Sequence, residues 1–277
     1  MTTINEKLTR VDNNISNLKN ILGISQDAEI EEIEKKINPE IGYIMKDYNE
    51  SGYPTTLFIN GITRLPQYLC ECDTDKTTLL SYLSNIIVWE GIQDSGYYSF
   101  YKNVFLKTIT FLGELSLINN GSFRECSSFD IKEIPNTVTI INREAFYGCN
   151  NQSLKTIPDG VTELPIMVFT SNKFYQMSMR NVTLIESSST ANACFAKCTN
   201  LKAVWIGSAI QKINANVFSG CSNLKKIYID KTRAEVENMS SYASRWDAYN
   251  ATIICNDDEG FISKEEFDAI DWSTYTE

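Results

Sequence analysis

Four copies of Phe-x-x-Cys are the residues whose type and spacing first suggest chemistry: Phe123 and Cys126, Phe146 and Cys149, Phe195 and Cys198, Phe218 and Cys221. A cysteine nucleophile needs a neighbour that draws off its proton, and the usual neighbour is histidine. The 277 residues include no histidine. That excludes Cys-His and Ser-His-Asp catalysis, His-ligated zinc and imidazole acid–base chemistry together. Carboxylates are plentiful but scattered without register, and neither a G-x-S-x-G elbow nor a Gly-rich phosphate loop occurs. The expectation is a non-enzyme that needs no cofactor. A repeated thiol then has two readings. The simpler is a small buried apolar group; the other is a disulfide between neighbouring units, since Cys126 and Cys149 would stack about 5 Å apart.

A second candidate lies in the stretch CNDDEGFISKEEF. Setting Gly260 at the sixth position of a calcium loop puts Asp257 third, Glu259 fifth and Glu266 twelfth. The first position would be Cys255, a poor ligand for a hard cation. The expectation is an acidic, solvated tail, and no metal site is assigned.

The elements that carry these groups repeat. Phe100, Phe123, Phe146 and Phe169 are each 23 residues apart, a step of 26 leads to Phe195, and another 23 to Phe218. Other columns keep this register: Pro135 and Pro158 eleven residues before the Phe, Leu115, Val138, Val161 and Ile210 eight before, and Ile118, Ile141, Leu164 and Ile213 five before. A period of this size marks a solenoid, in which each unit has an apolar face that only its neighbour can cover. Ahead of the Pro slot runs a short apolar segment: LKTITF from Leu106, IKEIP from Ile131, LKTIP from Leu154, LKAVWI from Leu201 and LKKIYI from Leu224. In the six-residue versions the first, fourth and sixth residues face inward. Each repeat is expected to add one strand to a continuous ladder. The stretch YPTTLFINGITRLPQYLCEC is a degenerate first unit, and the unit ending at Phe195 inserts ESSSTANAC after Asn172 has replaced the Cys.

These columns resemble the BspA-like leucine-rich repeat family, whose pattern runs roughly L-K-x-I-x-I-P-x-x-V-x-x-I-x-x-x-A-F-x-x-C, over about residues 50–230. The resemblance implies an α/β repeat fold: a right-handed, curved leucine-rich-repeat solenoid of about seven 23-residue units with a parallel strand ladder. It also implies a cysteine column of free thiols and a part in adhesion at a cell surface. The pattern departs at the Pro slot, where other units hold Trp89, Leu112 and Gly207.

The two ends follow other rules. Ile4, Leu8, Val11, Ile15, Leu18 and Leu22 are spaced as the a and d positions of a heptad, which predicts a coiled coil within a helical attachment segment over 1–38. The alternative is an amphipathic helix that caps the solenoid. Gly23 stops the helix, and Ser25 or Asp27 caps a second one through AEIEEIEKKI before Pro39. This arrangement resembles the mounting segments of phage tail and baseplate proteins. Residues 39–230 form the solenoid and 231–277 a C-terminal cap and acidic tail, with NATIIC as a final strand.

The outward strand positions define a candidate ligand-binding face: Lys107, Lys132, Lys155, Tyr175, Lys202, Trp205, Lys225, Lys226 and Tyr228. Ammonium groups and flat rings together suit an anionic polymer or a sugar, although lysine also keeps an exposed strand soluble. The net charge of −10 disfavours nucleic acid and anionic membranes as partners. No apolar run reaches the length of about 18 residues that spans a bilayer, and the polar N-terminus does not read as a signal peptide. Two functions follow. One is a component of a phage tail or phage-like particle, a dimer or trimer through residues 1–38, that recognises a bacterial surface polysaccharide or protein receptor. The other is a bacterial cell-surface adhesin; an intracellular scaffold is the third possibility.

Overall fold

The computed structural model describes residues 43–48, 54–59, 62–65, 67, 69, 83–88 and 91–275 apart from 240 and 249. The predicted heptad seam from Ile4 to Leu22, and the helix expected after it, lie outside the described residues.

Alternating apolar residues build a solenoid of stacked turns with three sides. One side carries the longer strands. β1 (Tyr43–Tyr48), β2 (Pro54–Ile59), β3 (Asn85–Val88) and β4 (Thr108–Phe111) form one sheet in that order. β1 runs antiparallel to β2 and the others are parallel, so β1 covers an edge that would otherwise present unpaired backbone groups. The second side carries two-residue strands at the Ile/Leu column: β5 (Leu117–Ile118) beside β6 (Ile140–Ile141), and β7 (Glu163–Leu164), β9 (Leu184–Ile185) and β11 (Lys212–Ile213) in a parallel set. Farther along the first side, β8 (Gln176–Met179), β10 (Ala203–Ile206), β12 (Lys226–Ile229) and β13 (Thr252–Cys255) form a parallel sheet. The expected final strand in NATIIC is thus β13.

The third side is the Phe turn. The rings of Phe100, Phe123, Phe146, Phe169, Phe195 and Phe218 stack in one column with centroids 5.3 to 5.7 Å apart, all fully enclosed. Two residues after each Phe the backbone turns left-handed, at Gly148 (φ 70°) and Gly220 (φ 74°) and also at Lys102, Glu125, Ser171 and Lys197. Glycine accepts that conformation without steric cost, which accounts for the Gly in AFYGC and VFSGC.

The six described cysteines are free and buried. The four of the Phe-x-x-Cys column donate from Sγ to the Phe carbonyl one turn back: Cys126 to Phe100 at 2.8 Å, Cys149 to Phe123 at 2.9 Å, Cys198 to Phe169 at 3.0 Å and Cys221 to Phe195 at 3.0 Å. Asn172, the exception in the sequence, makes the same contact, its Nδ2 donating to Phe146 O at 2.6 Å. The column thus selects a small buried donor rather than a disulfide partner.

The ladder is not continuous. Among the described residues, Ile131–Ile134 pairs with neither neighbour, and Leu154–Ile157 makes only the bridge between Thr156 and Ser178 with its flanking bonds. The cause lies in the sequence. Elsewhere the residue after the strand donates to the preceding turn: Leu112 N to Val88 O, Gly207 N to Met179 O and Asp230 N to Ile206 O, at 2.8 to 2.9 Å. The corresponding residues of the two short units are Pro135 and Pro158, which have no N–H to give. These units also place four residues rather than two between the Cys slot and the first residue of the apolar segment, so their strands are shorter.

Beyond β12 the chain makes one more turn and then doubles back. Helix α1 (Arg233–Glu237) begins with a capping box between Thr232 and Glu235. A 3-10 segment, Tyr242–Asp247, places Trp246 in the core, where its carbonyl accepts from Phe218 N at 3.0 Å. After β13, residues 256–275 return across the strand side with a second capping box, Ser263 with Glu266, opening helix α2 (Lys264–Ala269).

Candidate functional site

The returning segment corrects the expectation of a solvated tail. Phe261, Ile262, Phe267, Ile270, Trp272 and Tyr275 pack with Ala203, Trp205 and Tyr228 in a second apolar cluster on the outer face of the strands. Trp205 is 5% exposed and Tyr228 4%, and Trp205 Nε1 donates to Ile262 O at 3.1 Å. Burial also raises the Tyr228 phenol above its usual pKa. Two of the three aromatics expected to offer flat faces to a ligand are therefore occupied by the chain itself. Lys202 Nζ donates to Ser273 O at 3.0 Å and Tyr275 O at 2.8 Å, and Lys226 Nζ lies 5.2 Å from the centre of the Tyr275 ring. Several acidic groups of the segment are already engaged: Asp257 accepts from Arg233 N, Asp258 from Cys255 N, Glu266 from Ser263 N and Glu265 from Arg180. Cys255, the first position of the imagined calcium loop, is enclosed in β13.

Four lysines of the face stay open, while Tyr175 packs against the edge of the cluster. Lys107, Lys132, Lys155 and Lys225 are exposed, and Tyr175 is half-buried. They do not form one straight row. Ser178 pairs with both Thr156 and Trp205, which puts Lys155 level with Val204 and two residues away from Lys202. The two-residue shortening of the unit is the reason.

Where the ladder breaks, a groove of about 600 Å³ opens between β4 and the Phe129–Asn136 stretch, with Thr108, Thr110, Lys132 and Glu133 on its walls. The backbone of Lys132, Glu133 and Ile134 makes no hydrogen bond to another described backbone group. The groove therefore combines apolar wall, side-chain hydroxyls and free peptide groups. A smaller cavity of about 250 Å³ adjoins it at Asp130 and runs under the edge of the returning segment, reaching Lys155, Gln176 and Asp271. Proline as a ladder breaker and the Ser263–Glu266 capping box were signals in the sequence that could have located both. Among the described residues no set of His, Cys, Asp and Glu is grouped to hold a metal ion, and no helix is long and apolar enough to cross a membrane.

A solenoid built on a Phe column, a Cys column of backward-pointing donors and one short strand per turn defines a leucine-rich repeat protein. Residues 78–173 and 133–245 match the BspA type leucine-rich repeat region in six copies. Together the matches span well over half of the sequence, and the chain belongs to that family. No protein of curated function matches it significantly. Solved structures that resemble it include the leucine-rich repeat protein of T. pallidum (13% identity, 77% of this chain and 97% of that one, TM-score 0.38). The pneumococcal vaccine antigen PcpA (15% identity, 76% and 82%, TM-score 0.33) is another. A leucine-rich cell surface protein of Faecalibacterium prausnitzii (15% identity, 83% and 96%, TM-score 0.23) also resembles it.

Proposed function

We propose that this protein is a non-enzymatic binding module that holds an extended polymer, protein or glycan, at a bacterial surface in the manner of an adhesin. The carrying observation is the groove at the break in the ladder, with unpaired backbone groups inside it and exposed Lys107 and Lys132 beside it. An extended chain offers alternating donors and acceptors that match such a wall, and the ammonium groups add attraction for anionic stretches. The test is binding of labelled protein to whole bacterial cells and to immobilised host extracellular matrix, comparing wild type with Lys107→Ala/Lys132→Ala. Loss of at least tenfold in the double variant, with thermal stability retained, supports the groove. Equal binding by both proteins sinks it.

The heptad seam supports a particle-mounted form of the same module, a phage-tail component displayed as a dimer or trimer through residues 1–38. Light scattering on the full chain and on a chain starting at residue 40 separates the two. An oligomer that turns monomeric on truncation supports mounting; a monomer in both removes that form.

A further inference from the structure

We infer that the groove at the ladder break takes an extended polypeptide, which adds to the free edge of β4 as one more strand. This deepens the surface-binding proposal, rests on it for the biological setting, and selects protein over glycan as the polymer.

β4 is the last strand of its sheet. Toward β3 its bonds are made: Thr108 N donates to Ser84 O at 3.1 Å and Leu112 N to Val88 O at 2.8 Å, with Thr110 level with Ile87 between them. Successive residues of a strand direct their N–H and C=O to opposite edges. Thr108, Thr110 and Leu112 are therefore spent on β3, and Ile109 and Phe111 turn their peptide groups to the groove that both of them line. Among the described residues, no backbone group beyond the β3 ladder bonds to Ile109 or Phe111. Across the groove the peptide groups of Lys132, Glu133 and Ile134 are equally unspent. The other long sheet shows the contrast, since β10 is paired on both edges, with β8 and with β12. An open edge is a template for another chain, and natural proteins guard it with proline or charge. The sequence of β4, TITF, holds neither.

Spacing and pleat define the partner. The free groups of Ile109 and Phe111 recur every second residue, roughly 6.6 Å along a strand. A polypeptide in the extended conformation repeats its own donors and acceptors at that distance on both edges, so it can meet β4 with one and face Lys132 and Glu133 with the other. The hydroxyls around a sugar ring keep no such spacing. Ile109 and Phe111 are half-buried and pack on the core, whereas Thr108 and Thr110 are exposed. A strand beside β4 shares its pleat, so alternate residues of the partner face the apolar floor and those between stand in solvent near the exposed Lys132 and Glu133. The partner is thus a segment about as long as β4, with apolar side chains at alternate positions and no proline among them. At about 600 Å³ the groove has the size of a site that encloses a ligand of this kind.

The experiment pans a library of random twelve-residue peptides, displayed on phage, against the immobilised full chain. Enriched peptides are synthesised and titrated by calorimetry into wild type and Ile109→Pro. That substitution removes an N–H that faces the groove and sets a ring against the incoming strand, while the bonds of Thr108, Thr110 and Leu112 to β3 remain. The expected result is enrichment of peptides with apolar residues at alternate positions, bound about tenfold or more weakly by Ile109→Pro. In the wild-type complex the Ile109 and Phe111 amides should exchange more slowly. Should Ile109→Pro not fold, the peptide backbone decides: N-methylation of alternate residues, in each of the two frames, strips the donors from one edge at a time, and the frame that faces β4 should lose about tenfold. The proposal is overturned if no peptide is enriched over the bare support, if none of the enriched peptides loses affinity for Ile109→Pro, or if neither N-methylated frame weakens binding. Loss of cell binding in Lys107→Ala/Lys132→Ala with unchanged cell binding in Ile109→Pro would leave the groove standing and remove the added strand. Peptide binding of the expected kind with unchanged cell binding in the double lysine variant would keep the strand site and remove the surface role.

Discussion

Replacing Trp272 with alanine should release the returning segment from the strand face and leave the solenoid folded. The Trp272 ring lies 5.3 Å from Phe267, 4.7 Å from Tyr275 and 6.4 Å from Tyr228, and the residue is 1% exposed. A buried aromatic covers about 150–250 Å², which at about 25 cal/mol per Å² comes to about 4–6 kcal/mol. Measured Trp-to-Ala losses in cores run to about 3–5 kcal/mol. If the segment opens as a unit separate from the repeats, the whole loss falls on its docking. At about 1.4 kcal/mol per factor of ten, the open form becomes more populated by roughly two to three and a half orders of magnitude. Hydrogen exchange followed by mass spectrometry reads this directly: peptides spanning 256–275 should exchange faster by that factor, while β10, paired on both sides, and the Phe turns keep their protection. Faster exchange throughout the solenoid, or less than a tenfold change in 256–275, would refute a separately docked segment.

Three further outcomes are expected. Asn172→Ala orphans the Asn151 amide, which donates to Asn172 Oδ1 at 2.7 Å, and leaves Phe146 O with its bond from Cys149 N alone; it should cost about 2–4 kcal/mol in denaturant unfolding. Asn172→Cys should cost about half of that because the thiol restores one donor, and equal losses would contradict the role given to the column. Pro135→Ala supplies the missing N–H toward Phe111 O, so the new amide should exchange slowly and the groove should narrow with a gain of about 1 kcal/mol; a fast-exchanging amide at 135 would show that strand length rather than proline holds the gap open. Burial pushes the Cys255 thiol up to about 11, and burial raises Cys198 as well. The folded state therefore binds these protons more tightly than the unfolded chain, so stability is full below about pH 8.5 and falls as pH rises toward about 11. A melting temperature flat across that window would contradict the assignment.

Most of the scaffold was legible because a solenoid writes its core as columns. The Phe spacing alone located the ring stack, and the Cys slot located the buried donors, Asn172 included once its contact is seen. The strand face was harder. Trp205 and Tyr228 stand at outward positions, and outward aromatics read equally as a ligand platform or as a seat for another part of the chain. What decides between them is a segment some 40 residues farther on, and its acidic composition masked the apolar positions Phe261, Phe267 and Trp272 that do the covering. The break in the ladder was also written down, as Pro135 and Pro158, but both fit the repeat pattern so well that their missing donors were easy to overlook.

Trp246 has a consequence for how the molecule ends. Within the stack, the peptide of each Phe is completed by the turn that follows: Phe123 N donates to Ala145 O and Phe123 O accepts from Cys149. A solenoid cut at any unit boundary would present an open ring and an unspent amide, which is a template for the first turn of another copy. The Trp246 carbonyl accepts from Phe218 N and so closes the growing end. Without it, the same regularity that lets units be added within one chain would let chains add to one another, and the repeat would become a seed for fibres.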